Sequence, residues 1–577
     1  MPALVRFPLL LSLLVPILFA RSAISADPGP LEAIQAELRP DFADLAGTRT
    51  VPGLGIALVV DGRTRWIESF GFADRAARRA LTNQTRHALG DLSKPFVAAL
   101  ALRLAAEGRI DLTAPAARYL PQLVIAGGDT QAATLIRLLT HHAGLPPNHL
   151  AGMYRDVGAP GLDSPPTDAL YLAQVPGQVY AYSNIGVELA ARALAAAGDT
   201  AYAALLQEKV LRPLGLRHTG FTAGDDDARG HRKGRPIVAP LAREQAALGL
   251  RGSLADLARL AEQLTAAQPA MDLTALFQPY NTESVLDLDY RNGLAFSLFA
   301  DQRATVGTVA RLSSLYPGSR ARIDIALRQR AAVIVLANGA DAGDTVDDTT
   351  DRLLDGWLQA AHGIAPRERK APLPETAEWP HTARPDEAAR YYSSAAGLVE
   401  LTPDGTDFDV RVLGLRFAAE RREDGWYRLR LRVLGLPLDL GPLRRVLVAP
   451  ARVDGHRVLI VWTVRRRFLI GSAWEPPALS PAVQALAGQY RLLNPDRITH
   501  ELGIAQMRVD LDDGVLSASY PLDIPLLRTR VPLEPEGGGT DSLRVPGLGS
   551  IVGERLRVER SDGRTRLHYS GYVFERQ

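Results

Sequence analysis

The sequence of 577 residues contains no cysteine. That absence excludes disulfide bonds, thiol catalysis and thiolate metal sites. The chain also has almost no excess charge of either sign, since 66 Lys and Arg oppose 64 Asp and Glu for a net charge of +2. Without a large basic or acidic field, nucleic acid is not expected as a partner. The hydrophobic share of 46% and the charged share of 23% are those of ordinary globular domains.

Long hydrophobic runs are scarce, and the longest lies at the N-terminus. Arg6 is followed by an apolar run from Phe7 to Ala20 and then by small residues from Ser22 to Ala26. This order is typical of an export signal, so residues 1–26 are predicted to be a signal peptide cleaved after Ala26; an uncleaved anchor is the alternative. No later run reaches the roughly 18 apolar residues of a spanning helix. We therefore expect a secreted or periplasmic protein with no transmembrane segment in the mature chain.

Residues 27–367 are predicted to form one α+β domain, in which helices flank an antiparallel sheet. A hairpin is expected over 51–72, because two apolar runs meet at Asp61-Gly62. Helical spacing of apolar residues predicts helices over 94–107, 132–141, 184–197 and 347–361. Short apolar runs predict strands over 304–312, 323–327 and 332–336.

The remaining chain has a different character. A proline-punctuated stretch predicts a linker over residues 368–384. Beyond it, short alternating runs separated by Asp-Gly turns predict strands almost exclusively. A second proline patch at Pro476-Pro477 divides this region, so we expect two small antiparallel β-barrels over residues 385–476 and 477–577. A single larger β domain is the alternative.

Three short stretches of the first domain contain residues that could carry chemistry. The first is Asp91-Leu92-Ser93-Lys94 at the start of a helix, the second is Tyr182-Ser183-Asn184 before another helix, and the third is Thr305-Val306-Gly307 at the start of a strand. In a Ser-x-x-Lys site the lysine lies on the same helix face as the serine and can accept its hydroxyl proton. Here Asp91 stands at the serine position, where it could also serve as a helix cap.

These stretches resemble the motifs of the serine β-lactamase and penicillin-binding family. The resemblance covers roughly residues 30 to 365 and is strongest for the class C-like branch of esterases, D-aminopeptidases and D-alanyl-D-alanine carboxypeptidases. Tyr182-Ser183-Asn184 matches the Tyr-x-Asn motif as it stands. The third motif, Lys-Thr-Gly or His-x-Gly, is matched only at Gly307, with Thr305 in place of the basic residue.

The resemblance implies a β-lactamase/transpeptidase-like fold followed by two lipocalin-like barrels, one loop of which can reach the pocket. It also implies catalytic positions at Asp91, Lys94 and Tyr182 and substrate-binding positions at Asn184, Thr305 and Gly307. Neither cofactor nor metal is expected, since His141, His142 and His149 have no carboxylates at ligand spacing.

Three functional hypotheses follow. In the leading one the catalytic site has decayed, leaving a pseudoenzyme that binds a peptide, an ester or a cell-wall-like ligand such as a peptidoglycan fragment. The second is an active hydrolase of D-amino-acid peptides, esters or β-lactams, which uses Lys94 and Tyr182 with water or Ser93. The third is an interaction module in which the barrels hold the partner.

Overall fold

A computed structural model describes residues 29–155, 170–368, 382–384, 386–433, 436–438, 441–463, 466–519 and 529–577. The predicted signal peptide and most of the predicted linker lie outside these residues. Within them, no helix combines the length and hydropathy needed to cross a bilayer.

The first domain is built on an eight-stranded antiparallel sheet, as predicted. Its strands, in chain order, are β1 (Gly53–Val60), β2 (Arg63–Asp74), β3 (Arg79–Ala80), β4 (Arg291–Asn292), β5 (Ser297–Ala300), β6 (Thr308–Tyr316), β7 (Ser319–Ala326) and β8 (Ala331–Ala337). Their order across the sheet is β4-β5-β6-β7-β8-β1-β2-β3. The first hairpin and the last three strands of the domain therefore share one sheet, with Ile56 of β1 opposite Val335 of β8.

Helices cover both faces of this sheet. Those used below are α1 (Pro30–Leu45), α2 (Lys94–Ala106), the short α3 (Leu135–Leu139), α4 (Asn184–Gly198), α5 (Leu254–Thr265) and α6 (Gly343–His362). Side chains of β1 alternate between two cores: Ile56 and Leu58 pack with α1 and α6, whereas Ala57 and Val59 pack with the helices on the other face. Because both faces are covered, all residues of β1 are buried.

Two predicted boundaries are wrong in ways that matter. The helix expected over 132–141 extends only from Leu135 to Leu139, since a short 3₁₀ turn precedes it and His141 has a left-handed backbone. The strand expected over 304–312 is β6, which begins at Thr308 and continues to Tyr316. Its last residues pair with β7 across the turn at Pro317-Gly318.

The first C-terminal barrel has nine strands: β9 (Tyr391–Ser394), β10 (Gly397–Asp404), β11 (Asp407–Val412), β12 (Leu415–Arg421), β13 (Tyr427–Val433), β14 (Leu436–Leu438), β15 (Val446–Val453), β16 (His456–Thr463) and β17 (Arg467–Trp474). Their order is β12-β11-β10-β9-β17-β16-β15-β13-β14. Pairing of β12 with β13 closes the sheet on itself, which removes its free edges.

The second barrel also has nine strands: β18 (Gly488–Leu492), β19 (Gln506–Asp512), β20 (Val515–Ser519), β21 (Val531–Pro532), β22 (Glu534–Pro535), β23 (Ser542–Arg544), β24 (Arg555–Ser561), β25 (Arg564–Tyr569) and β26 (Tyr572–Arg576). Their order is β21-β20-β19-β18-β26-β25-β24-β23-β22. The two end strands follow each other in the chain, so this barrel is nearly closed. The predicted α+β domain followed by two antiparallel barrels is thus confirmed.

Candidate active site

A 3₁₀ turn, Gly90–Ser93, directly precedes α2 and positions Asp91. Gly90 has a φ of +54°, and a Cβ atom at this position would lie 2.4 Å from the Ser314 hydroxyl oxygen. The turn therefore packs directly against the end of β6. The Ser314 hydroxyl donates to the Leu89 carbonyl over 2.8 Å and accepts from the Asp91 N–H over 2.9 Å.

The Asp91 carboxylate is the centre of the polar cluster. Its Oδ1 atom accepts hydrogen bonds from Lys94 Nζ and from the Tyr182 hydroxyl, each over 2.5 Å. Its Oδ2 atom accepts from the Leu315 N–H over 3.3 Å. Both oxygens are used in these contacts, and neither contacts an amide of the first turn of α2. The interpretation of Asp91 as a helix cap is therefore wrong.

The charges of Asp91 and Lys94 each shift the pKa of the other side chain. Burial alone would raise the pKa of Asp91, but the Lys94 charge and the hydrogen bonds from Lys94, Tyr182 and Leu315 outweigh it and hold that pKa below its ordinary value. Burial lowers the pKa of Lys94, and the Asp91 charge offsets part of this effect. At neutral pH the Asp91 side chain is therefore a carboxylate.

Tyr182 and Asn184 enter the cluster from the start of α4. Ser183 is the N-cap of this helix and accepts from the Gly186 N–H over 2.9 Å, so its side chain is turned to the helix rather than to the cluster. Asn184 Oδ1 lies 2.9 Å from the Tyr182 hydroxyl oxygen, and Lys94 Nζ lies 3.0 Å from it. Burial, followed by the Asp91 charge, raises the pKa of Tyr182 well above its ordinary value. Tyr182 therefore remains a donor to Asp91.

A buried histidine, His141, packs against the ring of Tyr182. The centroids of the His141 and Tyr182 rings lie 4.7 Å apart, and His141 Nδ1 accepts from the Ser183 N–H over 3.1 Å. Burial, helped by the Lys94 charge, lowers the pKa of His141 to about 3. The imidazole is therefore neutral at physiological pH. In the described part of the chain no group of His, Asp and Glu side chains could hold a metal ion.

Thr305 and Gly307 do not belong to this site, so the prediction that they bind substrate is wrong. Thr305 is exposed, its carbonyl accepts from Gln329 over 2.8 Å, and Gly307 lies against Arg328. Both precede β6, whereas the site lies at the other end of that strand, about 20 Å away at 3.3 Å per residue. The strand residues at the site are Ser313 to Leu315. The turn dipeptide Pro317-Gly318 is the sequence signal that could have identified this strand end.

Ser93, the alternative nucleophile, points into the protein. It is fully buried, and its hydroxyl oxygen accepts from the Leu250 N–H over 3.2 Å. The structure thus brings Asp91, Lys94, Tyr182 and Asn184 together and keeps Ser93 apart from them.

A cavity of about 510 Å³ opens in front of Asp91, Lys94 and Tyr182. Hydroxyl groups and rings of the first domain form most of its wall, with Ser313 and Phe299 among them. The first barrel completes the wall with Thr463, Arg466 and Phe468. The second barrel also reaches the site, since the Tyr182 N–H donates to the Ser550 hydroxyl over 3.0 Å. The family resemblance implied that a barrel loop can reach the pocket, but the sequence did not identify which barrel residues do so.

Comparison with known proteins gives the relationship of the first domain. The family model for beta-lactamase matches residues 38–356. The chain is 27% identical over 220 residues to a beta-lactamase of Escherichia coli, which covers 36% of this chain and 55% of that protein. It is 28% identical over 225 residues to Esterase EstB of Burkholderia gladioli, covering 36% and 57%. The match thus spans little more than half the length of these relatives.

Among solved structures, the octameric penicillin-binding protein homologue from Pyrococcus abyssi is similar, with a TM-score of 0.50. The similarity covers 76% of this chain and 99% of that one at 19% identity. At this identity the comparison supports the fold alone.

Proposed function

Because the chain belongs to the beta-lactamase family, we propose that it is an exported member whose acyl-transfer site is impaired and which binds a peptide, an ester or a cell-wall-like small molecule. The observation that carries this proposal is the position of the Asp91 carboxylate. One of its oxygens takes the donors of both Lys94 and Tyr182, and the other takes the Leu315 N–H.

The chemistry of a carboxylate at this position argues against acyl transfer. A serine hydroxyl becomes a nucleophile when a nearby base removes its proton, whereas the Asp91 carboxylate is already ionised and paired with Lys94. Attack on an amide would produce a mixed anhydride, which is a poor acyl carrier. Loss of the nucleophile leaves only binding and oxyanion stabilisation, which are orders of magnitude weaker than the intact site.

The oxyanion donors are engaged as well. In this family, backbone amides of the nucleophile and of the third-motif strand stabilise the developing oxyanion. The corresponding amides here are those of Asp91 and Leu315. The first donates to the Ser314 hydroxyl and the second to Asp91 Oδ2, so neither is open to a substrate carbonyl. Two separate features therefore oppose turnover.

The cavity itself supports ligand binding. Its volume of about 510 Å³ lies in the range of small-molecule sites, which are concave and combine rings with a few polar groups. Tyr180, Tyr290 and Phe299 provide rings, and Asn292 and Ser313 provide hydrogen-bonding groups. We propose a peptide or ester ligand, with peptidoglycan fragments as the first class to test.

Export is proposed from the signal-like residues 1–26. The predicted linker, residues 368–384, is proposed to join the first domain to the two barrels.

The test is to restore the site by substitution. Asp91→Ser returns the hydroxyl and frees the Leu315 N–H, and Asp91→Ser/Ser314→Gly also frees the N–H of residue 91. Labelling by a fluorescent penicillin and turnover of a p-nitrophenyl ester and of D-alanyl-p-nitroanilide are compared among the wild type and both variants. We expect no labelling of the wild type, weak labelling of the single variant and stronger labelling of the double variant.

The control is Ser93→Ala in the wild-type background, since Ser93 is the alternative nucleophile. Turnover by the wild type that disappears in Lys94→Met, or that disappears in Ser93→Ala, would contradict the proposal. Absence of labelling in both restored variants would contradict the view that the impairment is confined to Asp91 and Ser314.

A further inference from the structure

The first barrel encloses an apolar chamber of about 570 Å³. Its wall consists mainly of aliphatic side chains, including Val399, Val410, Leu429, Val448 and Leu459. Four of these side chains are less than 9% exposed and belong to the core of the barrel. An apolar cavity of this size offers water few hydrogen-bond partners. The chamber is therefore suited to an apolar occupant.

The chamber adjoins the cavity in front of Asp91. Tyr180, Tyr290, Arg466 and Phe468 line both spaces. A ligand lying in the barrel would therefore have one end at these four residues, next to the polar cluster of the first domain.

Arg466 is the charged group at this junction. Its guanidinium lies 4.6 Å from the ring centroids of Tyr290 and Phe299 and 5.5 Å from that of Phe468. Among the described residues no carboxylate forms an ion pair with it. The adjacent Arg467 differs, since Asp289 accepts from its Nε and Nη2 over 2.9 and 2.8 Å. Arg467 thus anchors the hairpin, whereas Arg466 packs against these rings and hydrogen-bonds to Tyr290.

The other charged side chains near the junction have hydrogen-bond or ion-pair partners. Arg311 is held by Asp324 through two hydrogen bonds of 2.9 and 2.6 Å. Asp287, which lines the chamber, accepts from the Tyr180 N–H over 2.7 Å, and its Oδ2 atom lies 2.7 Å from His142 Nε2. Asp91 is paired with Lys94. Arg466 is therefore a cation at this junction with no carboxylate partner among the described residues. A partly buried charge is costly unless it is paired, so an anion bound here would be stabilised.

From these features we propose that the first barrel binds a single-chain amphiphile with an anionic head, such as a fatty acid carboxylate. The apolar chain lies in the chamber, and the head group pairs with Arg466 at the junction. Bidentate pairing of a guanidinium with a carboxylate is a strong charge-assisted interaction. The site goes beyond the proposed function, because it uses neither Asp91 nor Lys94. Whatever the ligand of the Asp91 cavity, a head group at Arg466 would border it.

The experiment measures binding of dodecanoate to the full chain by isothermal titration calorimetry, below the concentration at which it forms micelles. Butyrate and dodecyltrimethylammonium serve as probes that lack the long chain and the negative charge. The variants are Arg466→Gln, which removes the charge, and Val410→Trp, which fills the chamber. Arg452→Gln is the matched control, since Arg452 is an exposed arginine of the same barrel that does not line the chamber.

We expect one saturable site for dodecanoate. Affinity falls about tenfold or more in Arg466→Gln, as for other hydrogen bonds to charged groups, and is unchanged in Arg452→Gln. Binding is lost in Val410→Trp, and shorter carboxylates bind about fourfold more weakly for each methylene removed. Should Val410→Trp fail to fold by circular dichroism, Val399→Phe replaces it.

Absence of saturable dodecanoate binding would overturn the proposal, as would equal affinity in Arg466→Gln or equal binding of dodecyltrimethylammonium. Asp91→Ser separates this proposal from the proposed function. We expect it to leave dodecanoate affinity unchanged whether or not it restores acylation, and a large loss of affinity in this variant would contradict a site confined to the barrel and Arg466.

Discussion

Asp91 and Lys94 form an ion pair of 2.5 Å in which the lysine side chain is 2% exposed and the aspartate side chain 14% exposed. They are three positions apart in the chain, so they lie on one face of the turn that leads into α2. The acid that replaces the expected nucleophile is thus also the counter-ion of the buried lysine. A substitution of Asp91 is therefore expected to affect the stability of the fold as well as the chemistry of the site.

The first prediction concerns the unequal cost of breaking this pair. Asp91→Asn leaves a lysine buried without its counter-ion, which typically costs about 3 to 5 kcal/mol of unfolding free energy. Lys94→Met leaves a carboxylate that is still reached by solvent and bonded to Tyr182, so we expect a smaller loss of about 1 to 2 kcal/mol. Urea unfolding followed by circular dichroism measures both. An equal or reversed order would contradict the burial difference between the two groups.

Removal of the Tyr182 hydroxyl is expected to weaken the carboxylate cluster. Tyr182→Phe deletes a hydrogen bond to a charged group, so we expect a loss of about 1.5 to 3 kcal/mol in unfolding free energy. It should also raise the pKa of Asp91, which carbon NMR of the carboxyl group can follow. Tyr202→Phe is the control, since the Tyr202 hydroxyl is buried with no partner among the described residues; a comparable loss there would refute the assignment.

Gly90 should tolerate no side chain. In Gly90→Ala the new Cβ lies 2.4 Å from the Ser314 oxygen, in addition to the left-handed backbone, so the 3₁₀ turn and Asp91 must shift. Gly503 has a similar φ of +68° but nothing within 4 Å, so Gly503→Ala isolates the backbone cost of about 1 to 2 kcal/mol. We expect Gly90→Ala to lower the free energy of unfolding by clearly more than this control. Equal losses would show that Ser314 does not restrict the turn.

Stability should decrease between weakly acidic and neutral pH because of two buried carboxyl groups. Burial raises the pKa of Glu554 and that of Glu188 from 4.5 to about 7. The folded protein therefore holds these protons more tightly than the unfolded chain. The stabilisation that the two protonated carboxyl groups add to the free energy of unfolding is fully present below pH 4.5. It is lost as the pH rises through about 7.

The expected change is about 3 kcal/mol for each group, since each pKa unit corresponds to about 1.4 kcal/mol. Glu554→Gln and Glu188→Gln should each flatten the dependence of unfolding free energy on pH. The control is Glu475→Gln, which should leave it unchanged because Glu475 is an exposed carboxylate paired with Arg457. Glu554 accepts from the Tyr569 hydroxyl and lies four residues after Ser550, which contacts Tyr182. A slope unchanged in both buried variants would rule out this origin of the pH dependence.

The sequence was informative where a helix start fixes the geometry. Asp91 and Lys94 lie three positions apart at the start of α2, so helical spacing places them on one face. Tyr182 and Asn184 lie on either side of Ser183, the N-cap of α4, so the local chain brings them close without helical spacing. The strand at the site was mislocated, because Ser313-Ser314 resembles the end of a strand and the apolar residues before it resemble its centre. Thr305 and Gly307 were assigned to the site because Gly307 matches one position of the third motif, but they precede this strand and the site lies at its other end.

The contributions of the barrels could not be predicted in the same way. Arg466 lies more than 360 positions after Asp91 in the chain, and Ser550 lies more than 360 positions after Tyr182. Such contacts depend on how one folded unit packs on another, and no periodicity in the sequence encodes that arrangement. The chamber inside the first barrel is likewise a property of strand order and closure, and the alternation of apolar residues predicts only that the strands have an inner face.

The most direct test of the impaired-site account is intact-mass spectrometry of the wild-type protein after incubation with benzylpenicillin and with an activated ester, in parallel with Lys94→Met. We predict no covalent adduct on the wild type and the same slow background hydrolysis for both proteins. A stoichiometric acyl adduct on the wild type, or saturable turnover that is lost in Lys94→Met, would contradict the account.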